Sequence, residues 1–445
     1  MVTTVRPIAL SSEPTPARPV LGEPANAPAA ALDDFLRAQA VNVSQHAAAL
    51  RPFRADEFGS GPEAPSSAHI QAANDLIDRM RQSLLALSQL VQRSAQMSAA
   101  APDSRSFNDL LTQKDRAGDR VKSVERVWDF YLELFGQRQS RYAGWLLGAD
   151  RIAIDCYQAV YTGLGRAQPV PSPLPFAFMA TGFTPATFRR GVPLTKLVQQ
   201  NNPFPIVEIP FHRLVNPWTL GAIHHEVSHN LQNDLGLWTE VPRRIGRRLR
   251  QAGIDSKVAM TWSTWNKEIW ADLCGLLLGG PAVVASLIDV VAVAPSRALS
   301  FNPTGVHPTP YLRTLINLEL LNRMGFTDEA AAYRALWDRL YPDPRGGHLP
   351  AAIMDSFDEA HRIVVDEICY TPYARLGNKR LAEVVSFNTT HDAMTREAGE
   401  RLARGADPGV VPVRFLVGAA RWALDRRLAT PYALTKSFYD ALVRR

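Results

Sequence analysis

The chain has very little cysteine: Cys156, Cys274 and Cys369 are the only three in 445 residues. Odd in number and far apart, they exclude a disulfide framework and a C-x-x-C metal site, and they read most simply as buried thiols in a reducing compartment. Long apolar runs are missing too. The most apolar stretch, 273–293, is broken by Gly279-Gly280-Pro281 and carries Asp289, so it reads as two buried helices and not as a membrane span. The first ten residues lack the continuous apolar segment of a secretory signal. The expectation is a soluble cytoplasmic protein, with non-classical export left open. Neither sign of charge dominates: a net charge of +6 favours solubility and argues against nucleic acid as a dedicated partner. What remains, 46% hydrophobic and 21% charged residues, is enough for a sizeable core.

Residues 1–65 are rich in Pro, Ala and Ser. Pro7, Pro14, Pro16, Pro19, Pro24 and Pro28 prevent long helices, so a flexible tail is expected, with room for a short helix near Ala31–Ala40. Such a tail suits a partner-binding segment, an address for an export machine or a cover for a cleft. A helical region follows over 66–200. Ile70, Ala73, Ile77, Met80, Leu84, Leu87 and Val91 recur at spacings of three and four, the apolar seam of one long helix. Further helices are expected over about 119–135 and 142–162, before a proline-rich loop. Residues 201–325 form the next region and 326–445 a C-terminal helical region, with helices near 328–340, 350–369, 390–404, 411–427 and 431–444. The fold class is mainly α (α+β), with a small sheet.

Within 201–325, His225-Glu226-Val227-Ser228-His229 has the form H-E-x-x-H. On a helix, residues four apart share a face, so the two imidazoles can bind one metal ion. Glu226 lies about 100° round the axis and can reach a metal-bound water without taking a coordination position. Asn216 as N-cap, Pro217 in the first turn and Gly236 as a stop mark this helix. Glu268 and Asp272 are four apart on a second expected helix, opened by Ser263 or Thr264 and ended by Gly279-Gly280-Pro281. A hydrolytic zinc site needs three protein ligands and an open position. His225, His229 and Glu268 meet that need for Zn2+, and Asp272 would accept the spare ring N–H of a ligand histidine. Asp272 as ligand is the alternative assignment.

The pair His225-Glu226-x-x-His229 and Glu268-x-x-x-Asp272 resembles the gluzincin zinc metallopeptidases over about fifty residues. The elongated metzincin pattern does not fit, because Gln232 stands where a glycine is required and Leu235 where a third histidine is required. The resemblance implies a zincin-like metallopeptidase core, flanked by helical regions, that hydrolyses peptide or protein substrates. Glu226 would be the general base. His307, Tyr311 and Arg313, on or just before a helix capped by Thr309, are the nearest candidates for stabilising the transition state; Tyr370, Tyr373 and His391 are others. The β-like run Ile206–Phe211 is either an edge strand for an extended substrate or an ordinary sheet strand.

Three further features stay open. His224 and His212 read as structural. Arg243-Arg244-Ile245-Gly246-Arg247-Arg248-Leu249-Arg250 is either a solvated helix face or a basic lining of the cleft that favours acidic substrates. Together with Trp262 and Trp265 it also supports a competing reading, a nucleic-acid-binding protein with a structural metal. A third reading is a delivered effector whose tail matters most.

Overall fold

The computed structural model describes residues 27–165 and 169–445. They are mainly α-helical with a small sheet. Two compact units divide the chain, one formed by residues up to Ala49 with Arg81–Lys122, the other by Leu50–Met80 with Ser123–Arg445.

In the first unit α1 (Ala27–Ala49) is longer than the short helix expected. The remainder comes from α2 (Ser67–Ala100), from Arg81 on, and from α3 (Ser104–Gly136), up to Lys122. Leu36, Val91, Ala95, Leu110 and Ala117 form its core. α3 begins four turns before the expected start. Asp103 and Ser106 cap it reciprocally, the Ser106 amide donating to Asp103 Oδ1 at 2.7 Å, and a polar first half hid the periodicity. Of the Pro/Ala-rich stretch 1–65, residues 1–26 lie outside the described residues. Its far end is not a tail: Phe53 and Phe58 are buried against Phe135, with ring centroids 6.2 and 5.3 Å away. Two aromatics offset the low packing content that the composition suggested.

In the second unit α4 (Ala143–Leu164) leads into a three-stranded sheet of β1 (Phe176–Ala180), β2 (Ala186–Phe188) and, beyond the two-residue strands β3 (Pro193–Leu194) and β4 (Gln200–Asn201), β5 (Ile206–Pro210). The order is β1-β5-β2, with β1 parallel and β2 antiparallel to β5. The apolar run at 206 is therefore the central strand. The edge-strand alternative fails for it, because both sides are already paired.

After β5 come α5 (Phe211–Val215), α6 (Gly221–Asp234), α7 (Glu240–Gln251), α8 (Ser256–Gly279), α9 (Pro281–Val291), the short α10 (Pro295–Ala298) and α11 (Pro310–Arg323). The C-terminal set is α12 (Thr327–Leu340), α13 (Ala351–Val365), the short α14 (Leu381–Val384), α15 (Thr389–Ala403), α16 (Leu416–Asp425) and α17 (Pro431–Arg444). Leu146, Leu312 and Phe415 belong to one continuous core that runs across positions 200 and 325. Among the described residues no helix is long and apolar enough to cross a membrane.

α8 is the central helix, buried throughout from Glu268 to Gly279. Its N-cap is Asp255, whose carboxylate accepts from the amides of Lys257 and Val258. Ser263 and Thr264, expected to open the helix, lie inside it. Their hydroxyls donate back to the carbonyls of Ala259 and Met260 at 2.9 and 3.1 Å, which hydroxyl side chains do in helix interiors. α6 likewise starts later than Asn216, whose amide donates to the carbonyl of His212 and closes α5 instead. A tight turn over Pro217–Thr219 intervenes.

The sheet is tied to α4 by Arg138. Its guanidinium donates to both carboxylate oxygens of Asp150 at 2.6 and 3.1 Å and to the Ala177 carbonyl at 2.6 Å, while Asp150 accepts from the Ala177 amide. Removing one member of a buried pair strands the other. Arg138→Leu is expected to lower unfolding free energy by about 3 kcal/mol, read by chemical denaturation. An unchanged denaturation midpoint would show that Asp150 finds compensation elsewhere.

Candidate metal centre

α6 and α8 cross where α8 has no side chains. A Cβ at Gly275 would lie 3.3 Å from the His224 carbonyl carbon, and one at Gly279 would lie 2.8 Å from the His224 ring. Glu268, Asp272, Gly275 and Gly279 fall at spacings of four, three and four, one stripe along α8. The glycines admit the α6 backbone, so the carboxylates one to two turns earlier meet His225 and His229. A further link is made by Gln232, whose amide donates to the Asn266 side-chain oxygen at 3.2 Å.

The three expected ligands converge. His225 Nε2 lies 3.1 Å from His229 Nε2 and 3.4 Å from Glu268 Oε2, and His229 Nε2 lies 3.5 Å from Glu268 Oε1. Tetrahedral ligand bonds of about 2.0–2.1 Å place neighbouring donor atoms about 3.3–3.4 Å apart, so the triangle has the size such an ion requires. Asp272 stands behind His225, Oδ1 accepting from Nδ1 at 2.8 Å, which leaves Nε2 facing the triad. Of the two carboxylates it is therefore Glu268 that faces both Nε2 atoms. The Nδ1 atom of His229 has no such partner among the described residues.

Arg313 reaches the site through Asp272. Its Nε and Nη2 donate to the two carboxylate oxygens at 2.6 and 2.8 Å, and Nη2 also lies 3.5 Å from Glu268 Oε2. A guanidinium committed in this way positions Asp272, and Arg313 also lines the metal cavity. His307 lines the cavity, with Nε2 3.3 Å from Glu268 Oε2, and is 60% exposed at its mouth. Tyr311 is not at the site. Its ring packs 6.2 Å from that of Tyr341, and its carbonyl accepts from Trp337 Nε1, because this face of α11 turns toward α12. Tyr370, Tyr373 and His391 are also absent from the cavity lining. His224 is buried with Nε2 on the Arg414 carbonyl, and His212 packs near Phe183.

Glu226 is buried on the same cavity but makes no contact in the triangle. Burial pushes its carboxyl up to about 7; Glu268 adds to this and His225 opposes it. For His225, burial works against the charged form, but the Asp272 and Glu268 carboxylates outweigh it and push the imidazole up to about 10. Burial and the neighbouring His225 pull His229 down to about 3. Burial raises Glu268, yet the two imidazoles and Arg313 outweigh it and hold the carboxyl at about 2.

The cavity, about 400 Å³, also has walls that the sequence did not announce. Thr184–Thr187 bring in β2, the outer strand of the sheet on this side. Val283, Leu287 and Val290 supply an apolar wall from α9. Trp238 lies with the Arg189 guanidinium 3.5 Å and the Lys267 ammonium 4.4 Å from its ring centroid. Arg213 is buried, gives Nη1 to the Thr219 carbonyl, and has an Nε without a partner among the described residues. No spacing rule connects these residues to the H-E-x-x-H helix, and only the folded chain brings them in. The basic run 243–250 is elsewhere: none of its residues lines this cavity.

Comparison with protein-family models, with curated proteins and with solved structures finds no match to this chain.

At pH 7 the His225 imidazole, at about 10, carries a proton that a bound cation must displace. Binding of a divalent cation is therefore expected to release about one proton and to strengthen by about tenfold per pH unit as pH rises toward that value. Calorimetry in two buffers of different ionisation heat measures the proton count, and a count of zero would contradict the assignment. Asp272→Asn is expected to weaken binding of that cation about 10–100-fold.

Proposed function

We propose that this chain is a zinc-dependent peptidase of gluzincin-like design, acting on peptide or protein substrates. The observation that carries the reading is the converging triangle of His225, His229 and Glu268 with the buried Glu226 beside it on one cavity. A purely structural metal site has no use for that second glutamate. A zinc ion held by the triangle would polarise the scissile carbonyl and acidify the attacking water.

The chain's own groups then have distinct tasks. Glu226 takes the proton of the attacking water and passes it to the leaving amine, a role favoured by a carboxyl that burial has already raised to about 7. Asp272, clamped by Arg313, holds His225 in the tautomer that presents Nε2. His307, exposed beside Glu268 on the cavity, would donate to the developing oxyanion. β2 offers an outer strand edge to an extended peptide, a task that the central strand β5, paired on both sides, cannot take. Val283, Leu287 and Val290 would receive an apolar side chain, while Arg213 and Arg189 favour a carboxylate nearby.

Three buried, unpaired cysteines fit a reducing compartment such as the cytoplasm. The nucleic-acid reading loses its stacking surface, since Trp262 and Trp265 are fully buried.

Incubation of the purified chain with a diverse peptide library, read by mass spectrometry, tests the proposal. Wild type is expected to cleave, and Glu226→Gln to lose at least about 10²–10⁴-fold in rate while keeping its zinc. Cleavage by Glu226→Gln at the wild-type rate would overturn the assigned base.

A further inference from the structure

The arginine run of α7 builds a second cavity, about 920 Å³, that shares no residue with the metal cavity. Arg243, Arg244, Arg247, Arg248 and Arg375 line it, against two carboxylates, Glu240 and Glu367. Those carboxylates are already engaged. Glu367 is buried and accepts from Arg244 Nε at 2.7 Å, Arg248 Nη1 at 3.2 Å and the Tyr373 hydroxyl at 2.9 Å. Glu240 lies 3.4 Å from Arg244 Nη1. The Pro372 carbonyl and the Thr371 hydroxyl accept further bonds from Arg244 and Arg248, fixing both side chains.

Arg243 and Arg247 are placed differently. They are exposed, one helical turn apart on the same face, and among the described residues neither has a carboxylate within ion-pair distance. Like charges at this spacing repel and weaken a helix, so the arrangement is stabilised when an anion bridges them. Guanidinium forks match phosphoryl oxygens in pairs. The volume is far larger than one phosphate needs and lies within the range of small-molecule sites. Among the described residues no aromatic side chain lines the cavity, and nearby Tyr373 is buried with the Arg244 guanidinium 4.4 Å from its ring centroid.

We propose that this cavity binds a compact polyphosphate, an ester or anhydride carrying several phosphoryl groups, with Arg243 and Arg247 as its principal contacts and Arg244 and Arg248 as the rigid floor. The site stands independently of the metal centre and of the reaction proposed there. The two linings come close in sequence at one point, Gly236 in this cavity and Trp238 in the metal cavity.

Titration calorimetry of the full chain with sodium tripolyphosphate tests the site. One saturable site is expected, with orthophosphate at least about tenfold weaker. Arg243→Gln/Arg247→Gln is expected to weaken tripolyphosphate binding about tenfold or more, while Arg105→Gln/Arg116→Gln, an equal loss of charge elsewhere, leaves it unchanged. Any capture of metal by the probe is common to all variants and cancels in the comparison. All four arginines are exposed, and a thermal melt checks that the variants fold. A nucleoside triphosphate run alongside separates the sources: equal affinity means that only the phosphates are read, and tighter binding means that a base is read as well. No saturable binding, or equal binding by the Arg243/Arg247 variant, would overturn the proposal. So would a single-stranded oligonucleotide that occupies the cavity when tripolyphosphate does not.

Discussion

Everything at the candidate centre depends on how closely α6 can approach α8. Gly279 leaves no room for a side chain between the two helices and Gly275 very little, and that spacing bears on the distances among His225, His229 and Glu268. A methyl group at Gly279 would meet the His224 ring at 2.8 Å and push the helices apart at the point from which the ligand geometry is measured. Since interiors are packed to near-crystalline density, such a shift is transmitted and not absorbed locally. The glycines are therefore as much a part of the site as the ligands.

The second constraint is electrostatic. Five ionisable groups, His225, His229, Glu268, Asp272 and Arg313, are buried within a few ångströms, and each is stable only because of the others. Asp272 is the hub: it accepts from His225 on one side and from Arg313 on the other, and those cations hold its carboxyl well below the usual carboxylate range despite burial. Arg313, so paired, is raised above its ordinary value in spite of burial. For Glu226 burial prevails: Glu268 adds to it, and the opposing charges of His225, Arg313 and Arg213 do not cancel it. Two carboxylates one helix apart thus acquire opposite character from their surroundings, one suited to holding a cation and one to moving a proton.

The legible parts of this protein were those with short-range signals. H-E-x-x-H and E-x-x-x-D are pairs on single helix faces, and the triangle they form needs only that the two helices meet. Thr309-Pro310 opens α11 and Gly279-Gly280-Pro281 separates α8 from α9 as read, because capping chemistry is local. Where side chains had two local options the reading failed. Asn216 closes α5 in place of opening α6, and Ser263 and Thr264 bond back within α8. Three-dimensional neighbours were out of reach altogether. Nothing in Arg213, Trp238 or Thr184–Thr187 marks them as cavity walls, and the side from which β5 would be paired could not be known without β1 and β2. The arginine run was visible as charge. Its destination, a cavity closed by Glu367, Thr371 and Arg375, rests on contacts more than a hundred residues apart.

The central claim is that His225, His229 and Glu268 together hold one zinc ion, and X-ray absorption at the zinc edge tests it most directly. The account predicts one zinc per chain with only nitrogen and oxygen neighbours at about 2.0–2.1 Å, two of them imidazoles. One imidazole should be lost from the spectrum of His229→Ala. Sulfur neighbours at about 2.3 Å, or zinc bound with both imidazoles intact in that variant, would contradict it.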